Sequence, residues 1–460
     1  MKLNYKNIFY ICLILFFSLN CLKAKKSNFD MRGNGLYIFS MLSGNLSNSS
    51  SNSSTLNAST PPSNFTYNGT SNGLVSGSTG TSLLFRRTIA ASVMPTMTGT
   101  ATSITVSPSL PSGLSINATN GTISGTPTVS QVATNYTVTV ANSSGSINVV
   151  ISITVLPIVY AATFGGGLAI SSDGGASFTM KTTTDGLGCN TQNGVSVDSS
   201  GIIYAANNSN SCTGGISVST NNGVSFSFLN ASLNGLQNFS VFSNTPGLVY
   251  VGVYNTGGGL YYSTNGGSSF TQRFGTTYLD SDYVNDIYVT SSNVYIANGF
   301  SSSYGVSIST DGGANFTKRN SGNSSLPAAV VSGIYAVGSN VYAATASGLY
   351  ISTNSGTSFS LSGTGAVAAN KVQVVSNVIY VASTSGLMIS TNAGSSFSTR
   401  TTANGLPSNS VSSVFVYADG TIYVGTNSGI GISTDGGSTF SIRNASHGLT
   451  NLNIQQVTVR

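Results

Sequence analysis

An eight-residue phrase, Ser-x-Asp/Asn-x-Gly-x-x-Phe, is written seven times between residues 171 and 440: SSDGGASF, STNNGVSF, STNGGSSF, STDGGANF, STNSGTSF, STNAGSSF and STDGGSTF. The copies start 48, 44, 46, 43, 38 and 43 residues apart. A period in this range means one supersecondary unit repeated around a ring or along a solenoid, because a single unit has too little interior to bury alone. Residues 158–460 are therefore expected to be one cooperative array.

A second ladder runs inside the first. Each box follows a short apolar run with a tyrosine: Tyr160, Tyr204, Tyr250, Tyr295, Tyr342, Tyr380 and Tyr423. These runs are β-branched, alternate, and are punctuated by Gly, Asn and Ser, which reads as strands. Each unit is expected to be four antiparallel strands, A to D, with the tyrosine on B and the box as the C–D turn. That is the scale of one propeller blade. The box Asp or Asn oxygen is expected to accept a backbone N–H two residues on, as in an Asx turn. The glycine supplies a positive φ. Asp fills three boxes (Asp173, Asp311, Asp435) and Asn four (Asn221, Asn265, Asn354, Asn392). The two share an acceptor oxygen but not acid–base chemistry, so the position reads as architectural.

These boxes resemble the Asp-box (BNR) repeat of sialidase-like propellers, a repeat also found in xyloglucan-active hydrolases, sortilin-type receptors and photosystem assembly factors. The resemblance covers 158–460 and implies a seven-bladed β-propeller. The array begins on a B strand, and its last ten residues, NLNIQQVTVR, carry the A-strand pattern. The expected fold is all-β: a seven-bladed propeller closed by the C-terminal strand, plus an N-terminal Ig-like sandwich. Closure would remove two exposed sheet edges.

Upstream, residues 1–21 read as an export signal, with Lys2 and Lys6 before a twelve-residue apolar run, too short to span a bilayer. Cys21 resembles a lipobox cysteine and is the candidate lipidation site, although Asn20 stands where Gly, Ala or Ser is usual; ordinary cleavage is the alternative. Residues 22–63, rich in Ser and Asn from 43 onward, read as a tether. Residues 64–157 resemble the bacterial Ig-like module with an LPxGL…GxIxGTPT core, present at 110–114 and 121–128. That resemblance implies a β-sandwich spacer.

Charged residues are only 6 % of the chain, and glutamate is absent. The net charge of +6 belongs to the N-terminal region, since 158–460 holds eight Lys/Arg against nine Asp. Without a basic face, nucleic acid is not an expected partner. No cofactor is expected, and with His447 the only histidine, no metal centre beyond a weak calcium candidate at Asp280, Asp282 and Asp286. A solvated loop is the alternative there. Cys189 and Cys212 fall in loops on one face, so a disulfide fits an exported protein; two free thiols are the alternative.

The resemblance to sialidases implies an arginine trio and a Tyr/Glu pair, which this chain does not offer. Arg273, Arg319, Arg400 and Arg443 each stand three residues after a box phenylalanine, as does Lys181. Copies at this repeat position lie on the outer strand of their own blades and cannot converge on a central pocket. The spacing from the B-strand tyrosine to the box serine is 15, 13 and 14 in units two to four, and 10 or 11 elsewhere. The longer B–C loops, joined by TTYLDSDYVNDIYV at 276–289, make one sector of the face opposite the boxes the candidate contact surface. Its candidate residues are Asn208, Tyr254, Asn255, Tyr278, Asp280, Asp282, Tyr283, Phe300 and Tyr304. Stacking faces and neutral amides suit a glycan or a protein loop. The expected role is recognition or adhesion by a monomer at the cell surface or in the periplasm, reaching the membrane only through the lipid. A hydrolase using paired aspartates and a periplasmic assembly factor are the alternatives.

Overall fold

The computed structural model describes residues 60–460 apart from 68–73, 76–78, 209–211, 213, 235 and 300–304. The expected signal, the candidate lipidation site Cys21 and most of the expected tether lie outside the described residues, as do Phe300 and Tyr304. No helix among the described residues is long and apolar enough to cross a membrane.

The chain is all-β, with an Ig-like part followed by a β-propeller part. In the first, Ser82–Arg86, Gly145–Leu156, Gln131–Asn142 and Ser103–Ser107 form one sheet, and Ala91–Val93, Ile123–Gly125 and Leu114–Ile116 another. Leu83, Phe85, Ile104, Ile123, Val138, Ile151 and Ile153 close the interior. The LPSGL and SGTPT segments meet backbone to backbone. A Cβ on Gly113 would lie 2.0 Å from Thr126 O, and one on Gly125 2.0 Å from Gly113 O. Only glycine allows that approach.

From residue 158 on, the strands form seven four-stranded antiparallel sheets. Sheet 2, the first to hold its strands in chain order, runs Gln192–Val197 (A), Ile203–Asn207 (B), Gly214–Ser219 (C) and Ser227–Asn234 (D). Sheets 3 to 7 repeat this order, with A strands Asn238–Thr245, Val284–Thr290, Val331–Val337, Ala369–Val375 and Val411–Val416. Sheet 1 takes B, C and D from Val159–Thr163, Gly167–Ser171 and Thr179–Lys181; its A strand is Ile454–Val459, paired antiparallel to Val159–Thr163. Each A strand lies against that of the next sheet, and Ile454–Val459 touches those of both sheet 7 and sheet 2.

Repeated side chains hold neighbouring sheets together. The isoleucine of one C strand packs on the box glycine of the next sheet: a Cβ on Gly356 would lie 2.2 Å from Ile308 Cδ1, and one on Gly175 2.5 Å from Ile432 Cδ1. Two of the B-strand tyrosines reach the same turn, Tyr250 donating to Gly312 O (3.1 Å) and Tyr423 to Gly174 O (3.2 Å). In three sheets the cation after the box does so from strand D: Lys181 donates to Val224 O, Arg400 to Gly437 O and Arg443 to Gly175 O. These cations bind turns of the adjacent sheet rather than a central pocket.

The box turn is built on its serine. In all seven copies the serine Oγ donates to the Asp or Asn Oδ1 and accepts the glycine N–H four residues on, as Ser263 does with Asn265 and Gly267. The Asp or Asn Oδ1 accepts the N–H of the residue four on, not two on, because the serine has taken the glycine N–H.

Candidate functional site

The innermost strand of each sheet has one edge without a strand partner, and its N–H and C=O groups need other partners. Each A strand carries a bulge at its second residue: Asn193, Phe239, Asn285, Ser332, Asn370, Ser412 and Gln455. Such a bulge re-aims the side chains that follow. Bulge residues donate to the first carbonyl of the next A strand, Asn285 to Val331 O (2.8 Å), Asn370 to Val411 O (2.7 Å) and Ser412 to Ile454 O (2.5 Å). The residue after the bulge accepts a N–H from the next A strand: Ser413 from Val457, Gln456 from Val195 and Asp286 from Ile334.

Three tiers of side chains result along the axis. The outermost, at the end where the B–C and D–A loops lie, is a cavity of about 320 Å³ lined by Asn193, Ser240, Asn285, Ser332, Asn370, Ser412 and Gln455. It is polar and almost uncharged. Below it lies a cavity of about 240 Å³, and Lys371 and Gln456 border both. The deepest tier holds Phe242, Tyr288 and Tyr335, with ring centroids 5.6 and 4.3 Å apart. Burial, then the hydrogen bond with Tyr335, pushes the Tyr288 phenol far above its usual range.

Between mouth and floor sits an ion pair. Lys371 Nζ of sheet 6 lies 2.5 Å from Asp286 Oδ1 of sheet 4. Sheet 5, between them, has Gly333 at this level and so no side chain in the way. Asp286 is 3 % exposed and also accepts the N–H groups of Ile287 and Ile334.

Several of the expected loop residues make contacts at the same end. Tyr254 and Tyr283 are bridged across their backbones, with rings edge to face at 5.2 Å, and the Tyr283 hydroxyl lies 2.8 Å from Thr256 Oγ1. Tyr278 faces the Arg273 guanidinium at 4.9 Å. Asn255 Oδ1 is buried without a partner. Asn208 is buried beside Asn193, to which its Nδ2 donates at 3.4 Å. Cys189 and Cys212 form a disulfide, Cα atoms 5.7 Å apart, in the neighbouring loops.

The calcium candidate is corrected. Asp280, Asp282 and Asp286 are not gathered, and no group of three metal-ligating side chains occurs among the described residues. Strand A begins at Val284, so Asp286 is inside the strand and turned to the axis rather than in the loop. Asp282 ties two loops together, accepting from Gly257 N (3.2 Å) and Gly275 N (2.5 Å). Asp280 accepts from Asn320 Nδ2, and its Oδ2 is buried without a partner; burial raises its pKa. Asp185, also on this face, caps the short 3-10 turn Thr183–Asp185.

The axial tiers were missed by sequence reasoning. Their signal was there: Asp286 and Lys371 are the only charged residues in the seven A strands, at the same repeat position.

Comparisons with known proteins give the following. No curated protein matches the sequence. The structure of YCF48 bound to D1 peptide is similar at 15 % identity, covering 58 % of this chain and 85 % of that one, TM-score 0.45. A GH74 xyloglucanase from Xanthomonas campestris is similar at 13 % identity, 65 % of this chain and TM-score 0.49; this chain covers 52 % of it, about half its length. The extracellular domain of a "putative one component system" from B. thetaiotaomicron is similar at 14 % identity, covering 77 % of this chain and 56 % of that one, TM-score 0.46. Residues 38–156, about a quarter of the chain, match the family described as Putative Ig domain, which fits the sandwich found there.

Proposed function

We propose that the seven sheets are the blades of a closed propeller completed by the last strand, and that this propeller is an exported recognition module. On this reading a lipidated Cys21 and the tether hold it at a membrane, the Ig-like part is a spacer, and it binds a glycan or protein partner as a monomer through the B–C and D–A loop face. The observation that carries the reading is the polar, nearly uncharged axial mouth at that face, flanked by the Tyr254–Tyr283 rim. Concave sites with a few convergent polar groups are where small ligands bind, and neutral amides and hydroxyls match sugar hydroxyls or peptide groups.

Hydrolysis is less well supported. It needs two carboxylates facing each other across a substrate, whereas Asp282 and Asp286 are held by backbone N–H groups and Lys371. Among the described carboxylates Asp280, raised in pKa by burial and with an Oδ2 that has no partner, is the one that leans toward a general acid. Glycan and peptide arrays probed with the full chain, with a hydrolysis assay on each hit, test the reading. Binding without turnover, abolished in the Y283A/Y304A double variant, is expected. Turnover lost in D280N favours the hydrolase, and unchanged affinity in the double variant counts against the loop face.

A further inference from the structure

Lys371 stands where the repeat calls for an acceptor. At this register Ser413, Gln456 and Asp286 take a N–H from the next A strand. An ammonium cannot accept, so Lys371 crosses sheet 5 to Asp286 instead. Asp286 does not depend on it, since Ile287 and Ile334 already donate to both its oxygens. The ammonium has three donors, one of them on Asp286. It borders both cavities with its side chain 25 % exposed. Ser240, at the same level, has a buried hydroxyl without a partner, and the N–H it would accept by the repeat rule, that of Ile287, is taken by Asp286. Places where a sequence breaks its own local rule tend to be functional sites.

We propose that the axial mouth is a binding site for the end of a neutral carbohydrate chain, with Lys371 Nζ donating to a sugar hydroxyl. This rests on the glycan form of the reading above and gives it a place and a charge class. The mouth, about 320 Å³, is at the small end of ligand sites, which run from roughly 300 to 1,000 Å³; it takes a chain end rather than a chain laid across it. The site is neutral as a whole. A uronic acid or a peptide carboxylate reaching Lys371 would meet the Asp286 carboxylate on the same ammonium, and like charges at such range repel strongly away from bulk water.

The test uses the full chain with three neutral methyl hexosides and three neutral trisaccharides. A methyl glucuronide and a peptide ending in a free carboxylate are the charged controls. Acetic anhydride labelling of lysines is read by mass spectrometry, with Lys181 and Lys318 as internal references. A neutral sugar is expected to slow acetylation of Lys371 severalfold and leave the two references unchanged. The D286N/K371M double variant removes both charges at once and is expected to lose sugar affinity at least tenfold; should it fail to fold, the labelling result decides alone. No protection by any neutral sugar, protection by the charged controls alone, or unchanged affinity in the double variant overturns the site. A sugar whose binding depends on Tyr283 and Tyr304 but leaves Lys371 unprotected keeps the loop face as the recognition surface and removes this one.

Discussion

Asp and Asn exchange freely in the box because each bond they make tolerates either. Their common Oδ1 accepts a N–H, and the second atom meets a Ser or Thr hydroxyl that donates to Asp173 or Asp435 and accepts from Asn221. In the fourth box the partner is Asn315, whose amide donates to Asp311. Only the Asp boxes titrate. The Asn315 backbone N–H, then its side-chain amide and Ser309, hold Asp311 at about 2. Thr439 hydroxyl and N–H, then Ser433, hold Asp435 well below the carboxylate range. In Asp173 burial pushes upward, but Ser171, Ser177 and Arg86 together outweigh it. A carboxylate lowered by folding stabilises fully above its unfolded value of about 4 and loses that contribution as pH falls through the folded value. Thermal melts should therefore show the native protein weakening between pH 4 and 2, and the D173N/D311N/D435N variant weakening less. An equal decline in both would reject this account. S263A leaves Gly267 N–H and Asn265 without their buried partner and should cost about 1–3 kcal/mol in urea unfolding. The motif letters announced a turn; that the serine is its hub was hidden, because serine in such company reads as filler.

At the scale of the element, strand order and the period were plain from the tyrosine and box ladders, while the inner strands were not. TTYLDSDYVNDIYV was read as one loop with three carboxylates. Its break lies at Val284, and the bulge at Asn285 turns Asp286 to the axis. Bulges leave almost no mark in a sequence, since they add one residue to an otherwise alternating run. For the same reason the mouth, made of one residue from each of seven distant strands, could not be assembled from local pattern. The Cys189–Cys212 bridge spans 23 residues of loop and strand. Replacing both cysteines with serine should lower stability by about 2–4 kcal/mol, the usual effect of opening a loop of that size. A change within the error of the denaturation curve would mean that the loop is held by its other contacts.

At the scale of the whole molecule, the contacts between sheets 7 and 1 are of kinds found between other sheets: Ile432 on Gly175 as Ile308 on Gly356, Tyr423 to Gly174 O as Tyr250 to Gly312 O, and Arg443 to Gly175 O as Arg400 to Gly437 O. The junction with the Ig-like part is different in kind. Arg86 pairs with Asp173 at 3.6 Å, and Arg87, buried, donates to Thr128 O close to Tyr160 and Arg460. The repeats announced the sheets; nothing local announced this junction, which joins residues far apart in the chain. Ile454, Val457 and Val459 are buried. At about 1.5–3 kcal/mol each, their loss approaches the 5–15 kcal/mol that holds a domain folded. Deleting 451–460 should therefore abolish the cooperative melt of the propeller, whereas a melt shifted by only a few degrees would show that the strand is dispensable. Every face assignment, and the axial mouth itself, depends on the chain's last strand lying beside Val159–Thr163, the first strand of the propeller part. Ala161 and Val457 are cross-strand partners at that seam. Cysteines placed at 161 and 457 and oxidised in the folded, unheated protein should join to each other, seen as one linked peptide pair by mass spectrometry. Recovery of both thiols free, with the Cys189–Cys212 bridge intact, would contradict the closed ring.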